Sequence, residues 1–156
     1  MRILVDADAC PTPAKDILYR VSARLQIALV LVANSPQRLP KSPLITMEVV
    51  AQGADEADDH IVEIADPQDL VITADIPLTA RIIRKCPTAA VLDPRGVFLT
   101  DANIGPRLAL RDLLASLRNE GLRTGGPAAY GPKDQQAFAN QLDRWLQGRK
   151  KQGLGA

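Results

Sequence analysis

The sequence predicts an α/β fold in which helices cover both faces of a doubly wound, mainly parallel sheet. Two observations predict it. Short apolar runs alternate with amphipathic stretches along the chain, and some of those runs are apolar enough to be buried on both faces. With 156 residues, 46% of them apolar, the chain suffices for one domain and not for two. We expect that domain to span residues 1–148, and residues 149–156 to form a disordered basic tail.

The first half of the chain alternates predicted strands with predicted helices. Three apolar runs rich in branched residues are the strands: 2–6, 27–33 and 45–51. The middle run has no polar alternation, which is typical of a strand buried on both faces. Pro11 and Pro13 open a helix between the first two strands, and Asp55 is the predicted N-cap of the helix after the third.

The second half continues the alternation and then becomes helical. Strands are predicted at 69–73 and 88–93, with a helix over 76–85 between them, and a short VFLT strand follows the turn at Pro94 to Gly96. Asn103 is the predicted N-cap of a helix that ends near Asn119. A last amphipathic helix over 133–147 places four large apolar side chains on its inner stripe: Phe138, Leu142, Trp145 and Leu146.

Acidic residues follow three of the predicted strands. Asp6 and Asp8 come at and after the end of the first strand, Asp58 and Asp59 near the start of the helix after the third, and Asp75 just after the fourth. Because the ends of parallel strands converge, we expect these carboxylates to share one crevice. Each acid alone also has a structural explanation, as a strand end, a solvated first-turn acid or a helix cap.

A shared acidic crevice predicts a divalent cation. Neighbouring carboxylates repel one another unless a cation neutralises them, and Mg²⁺ or Mn²⁺ does so with oxygen ligands alone. Cys10 and Cys86 lack zinc-ligand spacing and His60 is the sole histidine, so a Cys/His site is excluded. A hard cation that keeps waters as nucleophiles makes phosphodiester hydrolysis the expected reaction.

Several residues are expected to contact the substrate. Arg107 and Arg111 fall on one stripe of the helix after Asn103, and Arg95 lies on the Pro-Arg-Gly turn, where a guanidinium group binds phosphate in a bidentate way. Asn34 is a candidate for the rim of the crevice, and Thr73 for a hydrogen bond to a metal ligand. Ordinary salt bridges for the arginines and a turn role for Asn34 remain the alternatives.

Six segments of the chain match the motifs of a known family: VDADACP, GADEADDHIVE, DLVITADIPL, DPRG, NIGPRLALRDLLASLRNEGLRTGGP and DQQAFANQLDRWL. Through them nearly the whole chain resembles the bacterial YaiI/YqxD family. That family is similar to PIN-like and NYN-type metal-dependent nucleases. The resemblance implies a three-layer PIN-like fold, a mainly parallel five-stranded sheet in the order 3-2-1-4-5, and cleavage of RNA.

The same resemblance implies that Asp6, the pair of Asp58 with Asp59, and Asp75 bind the metal. Of these acids we expect Asp6, Asp58 and Asp75 to be the direct ligands. We expect Asp8 and Asp59 to complete the site and position water. One departure from the family pattern is Asp93, where relatives usually carry asparagine before Pro-Arg-Gly. An acid at that position is not expected to be an essential ligand.

The resulting hypothesis is a metal-dependent nuclease that prefers RNA to DNA. Net charge is only +1, so affinity for nucleic acid has to come from a local patch. Two alternatives stay open: a non-catalytic RNA-binding module, and a phosphatase of the haloacid-dehalogenase type, because Asp6 and Asp8 are spaced like its nucleophile and acid. The start of the chain lacks a signal-peptide pattern and no run is long enough for a membrane span, so we expect a cytoplasmic protein without membrane partners. The oligomeric state is left open.

Overall fold

A six-stranded sheet forms the middle layer of the structure, a computed structural model that describes residues 1–53, 55–121 and 129–151. Its strands are β1 (Arg2–Asp6), β2 (Ala28–Ala33), β3 (Ile45–Val49), β4 (Leu70–Ile72), β5 (Ala90–Leu92) and β6 (Phe98–Leu99). The helices in the described residues are α1 (Thr12–Leu25), α2 (Glu56–Ile64), α3 (Ile76–Lys85), α4 (Asp101–Asn119) and α5 (Pro132–Lys151).

The strand order is β3-β2-β1-β4-β5-β6. The first five strands run parallel to their neighbours in the expected order, and β6 pairs antiparallel with β5. The sheet is therefore mixed and has six strands, whereas the sequence led us to expect a five-stranded one. The difference arises because the short strand after the Pro-Arg-Gly turn folds back onto the sheet edge instead of leaving it.

A tight turn between β5 and β6 causes that reversal. The Asp93 side chain is mostly buried, and its Oδ1 accepts hydrogen bonds from the backbone N–H groups of Arg95 (2.9 Å) and Val97 (3.0 Å). Gly96 has a φ of +87°, a conformation that side-chain-bearing residues rarely adopt. Asp93 thus stabilises the turn.

The two faces of the sheet carry separate apolar layers. Along β1, Ile3 and Val5 point towards α1 and α5, whereas Leu4 points towards α2 and α3. Residues alternate between faces along a strand, so Asp6 lies on the same face as Leu4. The predicted inner stripe of α5 is confirmed. Trp145 is partly buried, and the other three side chains are buried: Phe138, Leu142 and Leu146.

Two helix ends differ from expectation. Helix α4 begins at Asp101, and its N-cap is Thr100, not Asn103. The reason is that Asn103 Oδ1 accepts a hydrogen bond from the Thr100 N–H at 2.9 Å, so Asn103 closes the first turn from inside the helix. Helix α5 continues to Lys151, which makes the first three residues of the expected disordered tail helical. Residues 152–156 lie outside the described residues.

Helix α4 occupies an exposed position. It packs beside α3, and none of its own residues is buried. Leu110 and Leu113 on its surface are more than half exposed. Among the described helices, none has the length and apolar content needed to cross a bilayer.

Candidate metal centre

Asp6 and Thr73 meet at the carboxyl edge of the sheet. Asp6 is the last residue of β1, Thr73 directly follows β4, and both side chains are buried. Because β1 and β4 are parallel neighbours, the two residues emerge side by side. The Thr73 Oγ1 hydroxyl donates a hydrogen bond to Asp6 Oδ2 at 3.1 Å. This hydroxyl fixes the orientation of the Asp6 carboxylate.

Asp75 is joined to the same hydroxyl. Its backbone N–H donates to Thr73 Oγ1 at 3.1 Å. Asp75 is also the N-cap of α3, because its Oδ1 accepts a hydrogen bond from the Leu78 N–H at 2.9 Å. Asp75 therefore does act as a helix cap, which was the structural explanation expected for this acid. It also positions the carboxylate, because it places Asp75 next to Asp6.

Asp58 brings a third carboxylate to this edge from the first turn of α2. The pKa of its carboxyl group is raised to about 6, mainly by burial. The negative charges of Asp75, Asp6 and Asp55 also raise this pKa, whereas the positive charge of Arg81 lowers it. The pKa of Asp6 is also raised, mainly by burial, with smaller contributions from Asp75 and Asp8, whereas the Thr73 hydrogen bond lowers it. Asp6, Asp58 and Asp75, which we call the acidic cluster, therefore share one electrostatic environment.

The raised pKa of Asp58 predicts a pH dependence of stability in the metal-free protein. In chelator, the free energy of unfolding should fall as pH rises from the ordinary Asp value of 3.8 to about 6, because the unfolded chain ionises first. Asp58→Asn should therefore melt at a higher temperature than wild type at pH 7, with a difference that shrinks towards pH 4. Glu63→Gln, at an exposed acid of the same helix, is the control. Equal pH dependence in all three proteins would contradict the assignment.

Asp8 and Asn34 are engaged in a loop beside the cluster. Asp8 Oδ2 accepts from the Asn34 backbone N–H at 2.7 Å, and its Oδ1 accepts from Gln37 Nε2 at 3.1 Å. Gln37 in turn accepts from Lys15 Nζ at 2.7 Å. The Asn34 side chain donates to the carbonyl oxygen of Ala51 at 3.1 Å. Asp8 and Asn34 thus hold the wall of the crevice, and no sequence signal pointed to the parts of Gln37 and Lys15.

Asp59 forms an ion pair outside the acidic cluster. Its Oδ1 lies 2.8 Å from Arg81 Nη2, and both side chains are exposed. Successive helix residues are about 100° apart, so the two acids of the pair cannot face the same way. Asp58 therefore joins the acidic cluster, whereas Asp59 pairs with Arg81.

The predicted phosphate-binding arginines occupy different settings. Arg95 Nη1 donates to Asp134 Oδ2 at 3.0 Å, and its guanidinium group lies 5.8 Å from the centre of the Tyr130 ring. These contacts tie the β5–β6 turn to α5. Arg107 and Arg111 are exposed on α4. The structure therefore leaves the α4 pair accessible and gives Arg95 a structural role.

The donor chemistry of the acidic cluster fits a hard divalent cation. Its donors are carboxylate oxygens with a threonine hydroxyl beside them, the ligand type that Mg²⁺ and Mn²⁺ prefer. Within the three described ranges, however, no group of three or more His, Cys, Asp or Glu side chains stands close enough to hold a metal ion. The fit is in ligand type and not in a preformed cage, so a cation would have to draw the carboxylates together.

Comparisons with known proteins place the chain in a family. The chain is 53% identical over 146 residues to a UPF0178 protein of Trichlorobacter lovleyi, with 94% of each chain covered. It is 47% identical over 152 residues to a UPF0178 protein of Cronobacter sakazakii, covering 97% of this chain and 99% of that one. No solved structure matches it. Residues 4–148 match the family described as an uncharacterised BCR, YaiI/YqxD family, and the chain therefore belongs to the YaiI/YqxD family.

Proposed function

We propose that this protein is a Mg²⁺- or Mn²⁺-dependent nuclease with a PIN-like fold that hydrolyses phosphodiester bonds, in RNA by preference. The observation that carries the proposal is the convergence of Asp6, Asp58 and Asp75 at the carboxyl edge of the sheet, where burial and mutual repulsion raise the pKa of Asp58 to about 6. Clustered carboxylates with pKa values raised in this way are typical of functional sites. The parallel strand order β3-β2-β1-β4-β5 also supports a PIN-like fold.

The three acids are the proposed metal ligands, and hydrogen bonds already orient two of them for metal binding. Thr73 holds Asp6 through one carboxylate oxygen, and the helix cap holds Asp75 through its Oδ1. Each of these contacts leaves the other carboxylate oxygen for a ligand bond. Asp58 is less buried than Asp6, so its side chain is the one with room to move. When bound, a divalent cation supplies Lewis-acid stabilisation and a more acidic water.

Hydrolysis consumes one water. The water oxygen bonds to phosphorus, the bond from phosphorus to the leaving nucleotide oxygen breaks, and the proton that the water loses is balanced by the proton that this oxygen gains. The chain's own part is to hold the acids and to exclude alternative geometries. Asp8 contributes by fixing the loop at Asn34, and Asp59 by its ion pair with Arg81. Both are proposed to shape the site and to position the water.

The nucleic acid itself is proposed to lie along exposed basic groups. Arg107 and Arg111 are one helical turn apart on the surface of α4, which packs beside α3, the helix that Asp75 caps. Arg95 would have to exchange its contact with Asp134 for a phosphate. We therefore assign the larger share of strand binding to Arg107 and Arg111.

A second candidate function is a non-catalytic RNA-binding module. The observation that favours it is that the described acids are not gathered closely enough to hold a metal ion as they stand. Such a module would bind RNA without cutting it. The fold permits both outcomes, because fold does not determine function.

One assay separates these functions and the phosphatase alternative. A labelled single-stranded RNA is incubated with the protein in Mn²⁺ or in chelator, and p-nitrophenyl phosphate is tested in parallel. The proposed nuclease should shorten the RNA only with Mn²⁺ and should leave p-nitrophenyl phosphate intact. RNA that shifts in a gel without being cut would support the binding module. Phosphate release from the small substrate, with intact RNA, would support the phosphatase.

The bridging hydroxyl of Thr73 gives a second test of the site. Thr73→Val removes the partner of Asp6 Oδ2 and of the Asp75 N–H, so the free energy of unfolding should fall by about 1–3 kcal/mol. Loss of such a supporting hydrogen bond should also lower Mn²⁺ affinity by about 10- to 100-fold in calorimetry. Thr73→Ser keeps the hydroxyl and is the control. Equal Mn²⁺ affinity in the two variants would show that this hydroxyl does not orient a ligand.

A further inference from the structure

Arg81 is a cation at the edge of the acidic cluster. It belongs to α3, the helix that Asp75 caps, and its Nη2 lies 2.8 Å from Asp59 Oδ1 on α2. Its side chain is 42% exposed, so the guanidinium group is open to a ligand from solvent. One arginine therefore links the two helices that carry two of the proposed ligands.

The charge of Arg81 also reaches Asp58. It lowers the pKa of that carboxyl group, against the combined effects of burial and of the Asp75, Asp6 and Asp55 charges that raise it. An arginine side chain stays charged at any pH of interest, so this positive field is permanent. A polyanion that approaches the acidic cluster meets the field of Arg81 beside the carboxylates that repel it.

The contact with Asp59 does not commit Arg81 to a purely structural role. Exposed ion pairs contribute little net free energy, so a phosphate group can compete for the guanidinium. That group has five N–H donors in a fixed fork that matches phosphate oxygens, whereas its contact with Asp59 is made through Nη2. Arg95, in contrast, is held by Asp134 and lies against Tyr130.

We propose that Arg81 binds a phosphate of the nucleic-acid strand and sets that strand against Asp6, Asp58 and Asp75. The inference rests on the nuclease function proposed above. Asp59 then holds the guanidinium in place until substrate arrives. The competing explanation is that Arg81 only ties α2 to α3, so that any change in KM on its loss comes from the broken ion pair with Asp59 and not from a lost phosphate contact.

The test is steady-state cleavage of a single-stranded RNA in Mn²⁺ at several salt concentrations. Arg81→Ala should raise KM by about 10-fold, the loss of one charge-assisted contact. It should also flatten the dependence of log KM on log salt by about 0.7, the contribution of one phosphate contact to a single strand. Arg81→Lys should restore the salt slope. Arg84→Ala, at an exposed arginine of the same helix, should match wild type.

Asp59→Asn separates the two explanations. If Arg81 acts by binding phosphate, this variant frees the guanidinium, so KM and its salt dependence should not show the defect of Arg81→Ala, even where the loss of Asp59 lowers kcat. If Arg81 acts only by holding Asp59, it should reproduce the defect of Arg81→Ala, which would overturn the inference. If the wild type cleaves RNA but Arg81→Ala has the same salt slope as the wild type, the inference about Arg81 is wrong and the nuclease function still stands. A wild-type protein that cuts no RNA would remove the nuclease function and this inference with it.

Discussion

Asp6→Asn and Asp75→Asn should each lower Mn²⁺-dependent RNA cleavage by about 100-fold or more, the usual cost of removing one electrostatic group from a catalytic site. Both substitutions should also abolish the rise in melting temperature that we expect Mn²⁺ to give the wild type. An amide lacks the negative charge that a hard cation requires, although its oxygen still accepts hydrogen bonds. The effect should therefore fall on metal binding and not on folding.

The structure explains why the fold should survive these two changes. Asparagine is as good an N-cap as aspartate, so Asp75→Asn keeps the bond to the Leu78 N–H. In Asp6→Asn the amide oxygen still accepts from the Thr73 hydroxyl, and the change removes a carboxylate whose pKa is raised by burial. Asp16→Asn, at an exposed acid of α1, is the matched control. Variants that keep both cleavage and metal-induced stabilisation would show that these acids are not ligands.

Gly96→Ala should be among the most destabilising single substitutions in the protein. The glycine has a φ of +87°, and a Cβ there would lie 2.6 Å from the carbonyl carbon of Ala137 on α5. Neither the backbone of a helix nor a tight turn can shift without a large cost. We expect the free energy of unfolding to fall by about 2–5 kcal/mol, from conformational strain and steric overlap together.

Gly121→Ala separates the two causes. Gly121 has a similar φ of +82°, but among the residues that the structure describes a Cβ there would meet nothing within 4 Å. Its substitution should cost only the conformational part, about 1–2 kcal/mol. Urea denaturation of both variants measures the difference, which is the contribution of the close approach between the turn and α5. Equal losses in the two variants would mean that α5 does not pack against the Gly96 turn in solution.

Those features of the fold that depend on apolar pattern could be read from the sequence. The runs at β1 and β2 carry a strong signal because strands buried on both faces need continuous apolar residues. The meeting of Asp6 and Asp75 could be predicted for a related reason. It depends only on the parallel order of β1 and β4, and not on any detail of a loop.

Features decided by side-chain competition could not be predicted. The short strand after the Pro-Arg-Gly turn was expected, but its antiparallel pairing with β5 was not, because that pairing follows from the turn and two residues show no periodicity. Thr100 and Asn103 are both good capping residues, so composition does not say which one begins α4.

The candidate site shows the same limit. The partner of Asp8 depends on the conformation of the loop that carries Asn34 and Gln37. The ion pair of Asp59 with Arg81 depends on how α2 and α3 pack, which no local pattern encodes.

Asp6, Asp58 and Asp75 are proposed to bind one divalent cation together. Anomalous diffraction from a crystal soaked in Mn²⁺ can show this, because it locates the metal without reference to activity. We predict one strong anomalous peak within bonding distance of oxygens from all three carboxylates, with Thr73 still donating to Asp6. A peak only elsewhere, or none at this edge of the sheet in an Mn²⁺-saturated crystal, would show that the three acids do not form a metal site.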